Sequence, residues 1–117
     1  MTCPMDYHLC NQTVTVYRKA QDTVCRQVIP NAYFAAEQGV SHTNLGQDKK
    51  RSFLLIVPGP QVQIFVGDRV LPGVGPQDVD WNTFVPSQVE DLVEVGRTRH
   101  YRWDGKICHV EAQDAWN

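Results

Sequence analysis

The fold is decided by the stretch LVEVGRTRHYRWDGKICHVEA (Leu92–Ala112), which predicts a β-hairpin that closes a small barrel. Apolar and polar residues alternate in both arms, and a period of two is typical of strands with one buried face. Between the arms, Asp104-Gly105 supplies the positive φ angles of a tight hairpin turn. Because an isolated hairpin is only marginally stable in water, the rest of the chain must supply the other strands.

The overall composition indicates a single globular domain over residues 1–117. Hydrophobic residues make up 42% of the chain and charged residues 21%, close to the averages for folded proteins. The formal net charge of -2 argues against general binding to duplex DNA, which requires a basic excess. No apolar run approaches the roughly 20 residues of a membrane helix, and residues 1–6 lack the order of a signal peptide. We therefore expect a protein that is made and kept in a cytosol and has no membrane partner.

The four cysteines raise the questions of disulfides and of metal binding. Because no export signal is expected, reduced thiols are favoured over disulfide bonds. The Cys-x6-Cys spacing near the start of the chain is not a recognised zinc motif. We expect free, partly buried thiols and no metal or other cofactor. The residues from which a zinc site would have to be built are Cys3, His8, Cys10, Cys25 and the Cys108-His109 pair.

Three further segments have the composition of strands. Residues 13–18 alternate cleanly and are rich in β-branched side chains. Residues 23–34 predict a second strand, in which Pro30 cannot donate a ladder hydrogen bond, so a bulge or a sheet edge is expected there. Residues 52–57 are continuously apolar after the initial serine, which indicates a strand covered on both faces.

Two short helical turns are expected in the segment that precedes the last hairpin. Asp80 is a candidate N-cap that places Trp81 and Phe84 on one face of the first turn. Ser87 begins a capping-box pattern for the second turn. Neither turn is long enough to be stable without packing against the sheet. We therefore expect Trp81, Phe84 and Trp103 to be buried in the core.

The segment 37–51 is strongly polar and has almost nothing to bury. Loops of this length without structure of their own are uncommon in compact domains, and they are usually functional or disordered. Two interpretations stay open at this point: a flexible hairpin tip, or an arm that becomes ordered only against a partner. The candidate partner-binding residues are Gly39, Ser41, His42, Asn44, Gln47, Asp48, Lys49, Lys50 and Arg51.

No constellation of residues in the sequence predicts catalysis. Adjacent side chains on a strand point to opposite faces, which argues against a Cys108-His109 nucleophile and base. The glycine-rich stretch 67–75 lacks the following helix and the Lys-Ser/Thr of a phosphate loop. Aromatic residues are not interleaved with Arg or Lys on one strand in the manner of single-strand nucleic-acid binders. We therefore expect that the protein is not an enzyme.

Several structural motifs of the chain occur together in one known family. They are residues 13–17, residues 52–58, residues 67–71 with the following Gly73-Val74-Gly75-Pro76 and, as the closest match, residues 101–112. In this combination the chain resembles the small head–tail joining proteins of tailed bacteriophages that infect Gram-positive hosts. The resemblance implies an all-β fold, namely a small SH3-like β-barrel of about six strands. Residues 1–12 would precede this barrel as an N-terminal segment, and residues 37–51 would be its long projecting loop.

The resemblance also implies a structural role in the virion. Members of the family are similar to head-completion (stopper-like) minor capsid proteins, which form rings of six- or twelve-fold symmetry between the portal or adaptor and the tail. The implied location is thus the phage neck, after synthesis in the host cytoplasm. A long loop in such a ring can line or close the channel through which packaged DNA passes without sequence-specific binding. The alternative is a small phage-encoded module that binds a host protein, for example by adding an edge strand.

Overall fold

The computed structural model describes residues 6–43, 46–59 and 62–114. These residues form seven antiparallel strands in the order β5-β4-β1-β2-β3-β7-β6, and the sheet curls into a half-barrel. The all-β prediction is confirmed, whereas the SH3-like barrel of about six strands is not what the chain forms. The strands are β1 (Gln12–Ala20), β2 (Thr23–Thr43), β3 (Gly46–Pro58), β4 (Arg69–Pro72), β5 (Val93–Glu94), β6 (Arg97–Trp103) and β7 (Lys106–Gln113).

The long strand β2 divides the sheet into two halves. Its first part pairs with β1 and its second part pairs with β3. Between the two parts, Pro30 and Asn31 lie opposite a single residue of β1, and Asn31 has a φ of 60°. A bulge of this kind bends a strand and increases its twist, which lets the sheet curl. The irregularity expected at Pro30 is therefore confirmed.

The main core lies between the inner faces of the two halves. Val14 and Val16 of β1 belong to the same buried cluster as Leu55 of β3 and Val110 of β7. Burying each such aliphatic side chain stabilises the fold by about 1.5–3 kcal/mol. On β3 the burial alternates from Ser52 to Pro58, so only one face of this strand is fully covered within the chain. The expectation that residues 52–57 are covered on both faces is thus met only in part.

A second buried cluster covers the outer face of the first half. The ring of Tyr17 packs edge to face on Phe84 with the centroids 4.6 Å apart. The hydroxyl of Tyr17 donates a hydrogen bond to the carbonyl of Pro76 at 2.7 Å, and Leu92 completes the cluster. The segment between β4 and β5 therefore lies across this outer face.

The two helical turns expected in that segment do not form helices. The amide of Phe84 donates to the carbonyl of Asp80 at 2.8 Å, and that of Val89 to the carbonyl of Val85 at 2.9 Å. Neither bond is followed by a further turn, and the described residues contain no helix. A single turn fixes several backbone dihedrals for one hydrogen bond, which explains why these turns do not propagate.

The three aromatic residues expected in the core have different environments. Phe84 is buried, and Trp81 is half-buried beneath the guanidinium of Arg69, 3.7 Å from the ring centroid. Trp103, in contrast, is 48% exposed, so its assignment to the core is wrong. Trp103 begins the β6–β7 turn, in which Asp104 and Gly105 have φ angles of 52° and 78°, as the Asp-Gly sequence predicts.

Candidate functional site

The hairpin of β2 and β3 extends beyond the other strands as a two-stranded ribbon, residues 36–43 and 46–53. β1 pairs with β2 only as far as Ala32, and β7 pairs with β3 only from Leu54. β2 and β3 nevertheless remain paired up to Thr43 and Gly46. The ribbon is about 25 Å long at a rise of about 3.3 Å per residue.

The candidate partner-binding residues fall on this ribbon. The sequence predicts a loop over residues 37–51, and this prediction is wrong, because both sides of the hairpin continue as strands. Backbone hydrogen bonds between the two arms hold such a ribbon together without apolar side chains. Asn44 lies outside the described residues. The remaining candidates divide between β2, with Gly39, Ser41 and His42, and β3, with Gln47, Asp48, Lys49, Lys50 and Arg51.

Two side chains satisfy the backbone at the base of the ribbon, where the flanking strands end. Oε1 of Gln12 accepts a hydrogen bond from the amide of Phe34 at 2.8 Å. Oδ1 of Asp114 accepts one from the amide of Phe53 at 3.2 Å. The two phenylalanine rings lie 6.0 Å apart, and Phe53 is part of the main core. The ribbon is thus fastened to the body along both of its edges.

A buried chain of hydrogen bonds lies on the outer face of the second half. His109 is fully buried, with Nδ1 2.7 Å from the hydroxyl of Tyr7 and Nε2 2.8 Å from Oε2 of Glu111. The neutral tautomer that fits both contacts has Tyr7 donating to Nδ1 and Nε2 donating to Glu111. The ring of Tyr101 stacks on the imidazole at 5.0 Å. Both ring nitrogens are therefore occupied within the chain.

The electrostatics of these hydrogen-bonded residues favour a structural role. Burial, followed by the neighbouring Tyr101, Cys10 and Glu111, raises the pKa of Tyr7 above its ordinary value. A phenol with a raised pKa stays neutral at pH 7 and is a weak nucleophile and a weak base. The arrangement fastens Tyr7, which precedes β1, to β7. We call the residues Tyr7, His109 and Glu111 the clamp.

Strand β6 presents basic and aromatic residues at an edge of the sheet. It pairs with β7 on one side and with no other described strand on the other. The register puts Arg97, Arg99 and Tyr101 opposite Gln113, Glu111 and His109. Arg99 is exposed and makes no hydrogen bond or ion pair with the residues that the structure describes. We call the surface formed by Arg97, Arg99, Tyr101, Glu111 and Gln113 the β6 face.

The β6 face contains residues that the sequence reasoning missed. The sequence prediction that no strand interleaves basic and aromatic residues is wrong. In β6, Arg97, Arg99 and Tyr101 occupy every second position and therefore lie on the same face of the strand. That alternation is the signal that could have identified them. Four of the five residues of the β6 face, with Thr98, line a shallow groove of about 300 Å³. The groove therefore combines the guanidinium groups of Arg97 and Arg99 with the carboxylate of Glu111.

The cysteines differ from the expectation of reduced thiols. Cys108 is buried and disulfide-bonded, whereas Cys10 and Cys25 are free thiols, and Cys3 lies outside the described residues. The register shift after Tyr101 makes Cys108 the extra residue of β7, a position that only the tertiary structure reveals. Burial raises the pKa of the Cys10 thiol.

Within the described ranges, no group of three or more His, Cys, Asp or Glu residues is arranged to hold a metal ion. The same part of the chain contains no helix long and apolar enough to cross a bilayer.

Comparison of the sequence with known protein families and with curated proteins found no match, and comparison of the fold with solved structures found none. A functional proposal for this chain therefore depends on the ribbon, the clamp and the β6 face, together with the sequence resemblance.

Proposed function

We propose that this protein is a structural component of the neck of a tailed bacteriophage. Copies of the chain form a ring between the portal or adaptor and the tail. The ring completes the head, lines or closes the DNA channel and provides a surface for tail attachment. The observation that carries this proposal is the ribbon, which projects from a small all-β body and pairs with no other described strand. A projecting two-stranded hairpin is marginally stable by itself, and a neighbouring copy or a portal would complete its packing.

The charges of the ribbon suit partners in such a ring. Residues 49–51 are Lys-Lys-Arg, which can pair with acidic residues of a portal. The chain as a whole carries a net charge of -2, so a ring of copies does not attract DNA strongly. Packaged DNA can therefore pass through the channel without being held there.

Mass spectrometry of purified virions and electron cryomicroscopy of intact necks test the proposal. We expect the chain in mature particles, arranged as a ring whose ribbons reach a neighbouring copy, the portal or the channel. Absence of the chain from mature particles would overturn the proposal. A monomer in solution is compatible with it, because ring subunits can assemble on the portal.

A deletion of Ser41–Lys49 with a short turn in its place tests the role of the ribbon. We expect a nearly unchanged melting temperature, because the deleted segment lies beyond the flanking strands, and particles that fail to assemble or lose DNA. The matched variant keeps the full length of the ribbon and replaces Lys49, Lys50 and Arg51 by Gln. It distinguishes the effect of the positive charges from the effect of the length of the ribbon. A large drop in melting temperature on deletion would show that the ribbon is part of the core.

The outer edge of β6, which pairs with no other described strand, supports a second candidate function, a small phage-encoded module that targets a host protein. An extended segment of such a protein could add to β6 as a further strand. This alternative predicts a chain that is absent from particles and a specific complex with one purified host protein. Proline substitution at an outward-facing position of β6 would abolish that complex.

A further inference from the structure

We infer that the outer edge of β6 binds an extended segment of a different protein, and that this segment carries two carboxylates three positions apart. The outer edge of β6 is the side of Arg97–Trp103 that faces away from β7. This inference goes beyond the neck proposal, because it concerns neither the ribbon nor the ring. Three observations support it: the pairing of β6, the positions of two arginines and the composition of the other strand edges.

The outer edge of β6 is suited to receive a further strand. β6 pairs with β7 on one side and with no other described strand on the other. Such an edge presents a row of backbone amide and carbonyl groups, with which an extended segment of another protein forms ladder hydrogen bonds. Positive charges on an edge strand oppose pairing with neutral or basic segments. The charge of the occupant is therefore a property that the side chains of β6 determine.

Two arginines flank this edge on opposite faces of the sheet. Arg99 lies opposite Glu111 and so on the outer face, whereas Arg102 lies opposite Ile107 and on the inner side of β6. Both arginines are exposed, and neither makes a hydrogen bond or an ion pair with the residues that the structure describes. The carboxylate of Glu111 contacts Nε2 of His109 at 2.8 Å. The described part of the chain therefore leaves two positive charges beside the edge without a partner.

The spacing of the two arginines defines the segment that fits. An added strand directs its side chains alternately to the two faces of the sheet. Residues three positions apart in that strand therefore lie on opposite faces, one beside Arg99 and the other beside Arg102. Carboxylates at these two positions pair with both guanidinium groups. A basic segment would place like charges next to each other, which opposes its binding.

A second copy of the chain does not supply such a segment. β6 itself contains no Asp or Glu, and β5 at the other edge of the sheet consists only of Val93–Glu94. The two arms of the ribbon contain one carboxylate each, Glu37 in residues 36–43 and Asp48 in residues 46–53. None of these described strand edges offers two carboxylates three positions apart. The partner is therefore a different protein.

Three synthetic heptapeptides serve as probes of the edge. The peptide TEVTEVT is rich in strand-forming residues and has its glutamates three positions apart, on opposite faces of an added strand. The peptide TEVEVTT has the same composition, but its glutamates are two positions apart and therefore on one face. The peptide TQVTQVT keeps the first spacing without the charges. Titration of the full-length chain with each peptide, followed by NMR, measures the dissociation constant and the hydrogen exchange of the β6 amides.

We expect TEVTEVT to bind more tightly than the other two peptides. It should protect every second amide of β6, since alternate residues of a strand bond to the same neighbour. Arg99→Gln and Arg102→Gln should each weaken its binding by about two- to fivefold, the effect of one cross-strand ion pair. Lys19→Gln, at an exposed position of β1, is the matched control and should leave binding unchanged. Circular dichroism melts establish that each variant is folded.

Several results would overturn the inference. One is the absence of any change at β6 with all three peptides at millimolar concentration. Others are equal affinities for TEVTEVT and TEVEVTT, and unchanged affinity in both arginine variants. Protection of the same β6 amides when the chain alone is concentrated would show that a second copy occupies the edge, and it would overturn the inference as well. None of these results bears on the presence of the chain in virions, so the neck proposal is decided separately.

Discussion

The hydroxyl of Tyr7 lies 2.7 Å from Nδ1 of His109, although the two residues are 102 positions apart in the chain. On its other side, His109 contacts Glu111 through Nε2 at 2.8 Å. A buried imidazole needs partners for both ring nitrogens, because an unsatisfied buried polar atom costs about 1–3 kcal/mol. Tyr7 is therefore part of the folded body, in which it covers a polar group of β7.

Replacing Tyr7 by Phe tests this clamp. The substitution keeps the ring but removes the hydrogen bond to His109, and we expect the free energy of unfolding to fall by about 1–3 kcal/mol. Urea denaturation followed by fluorescence measures the change. Tyr101→Phe is the matched control, since Tyr101 contacts His109 by ring stacking. Equal losses in the two variants would contradict the assigned role of the Tyr7 hydroxyl.

The raised pKa of Tyr7 predicts a loss of stability at alkaline pH. The folded state favours the neutral phenol, chiefly because the phenol is partly buried. This contribution is fully present below the unfolded pKa of about 10, and it disappears as pH rises through the higher folded pKa. The free energy of unfolding should therefore decrease with pH above about 10, and decrease less in Tyr7→Phe. Unfolding curves of both proteins across this range provide the measurement, and parallel pH dependences would contradict the prediction.

The environments of two aromatic residues predict different costs of truncation. Phe84 packs on Tyr17 in the second buried cluster, so we expect Phe84→Ala to destabilise the protein by about 3–5 kcal/mol. Trp103 is half-exposed in the hairpin turn, so we expect Trp103→Ala to change stability by about 1 kcal/mol or less. Thermal melts compare the two variants. A larger loss for Trp103→Ala would show that its indole is covered in solution.

The bulge in β2 requires a left-handed backbone at Asn31. A β-branched residue is strained at this φ, so Asn31→Val should destabilise the protein by about 1–3 kcal/mol. Asn31→Gly should be close to neutral, because glycine adopts positive φ freely. Gln27→Val, at an exposed position in the regular part of β2, is the control for adding a β-branched side chain. If Asn31→Val and Gln27→Val lower the free energy of unfolding equally in chemical denaturation, that result would argue against the bulge.

The base of the ribbon depends on the carboxylate of Asp114. Asp114→Ala leaves the amide of Phe53 without its acceptor, and we expect a loss of about 1 kcal/mol and faster hydrogen exchange at that amide. Asp114→Asn keeps an acceptor oxygen and should retain most of the protection. Hydrogen exchange followed by NMR distinguishes the two variants. Unchanged protection of Phe53 in Asp114→Ala would show that this contact does not hold the ribbon.

Local features of the fold could be predicted where the signal lies within a few residues. The alternation of residues 13–18 predicts β1, and Asp104-Gly105 predicts the turn of the last hairpin. Pro30 predicts the bulge, because the missing amide hydrogen is a property of that residue alone. The prediction of helical turns near Asp80 failed because a capping pattern is only a local preference. It does not supply the packing that a short helix needs.

The candidate site was less predictable because its parts come from distant segments. Polarity predicts that residues 37–51 lie outside the core, but their pairing as a ribbon depends on the alignment of β2 with β3. The burial of His109 depends on Tyr7 from the other end of the chain. Arg99 is exposed on β6, which lies at an edge of the sheet. The position of a strand within the sheet cannot be predicted from the residues next to Arg99 in the sequence.

The amino-acid sequence by itself determined that this chain is mainly β, where its last hairpin turns and where its second strand is irregular. These properties arise from backbone preferences and from the spacing of apolar residues, which act over a few positions. Only the tertiary structure decided that β2 and β3 project together, that Tyr7 covers His109 and that β6 lies at an edge of the sheet. Those properties arise from contacts between residues that are far apart in the chain, and they exist only once the sheet has curled.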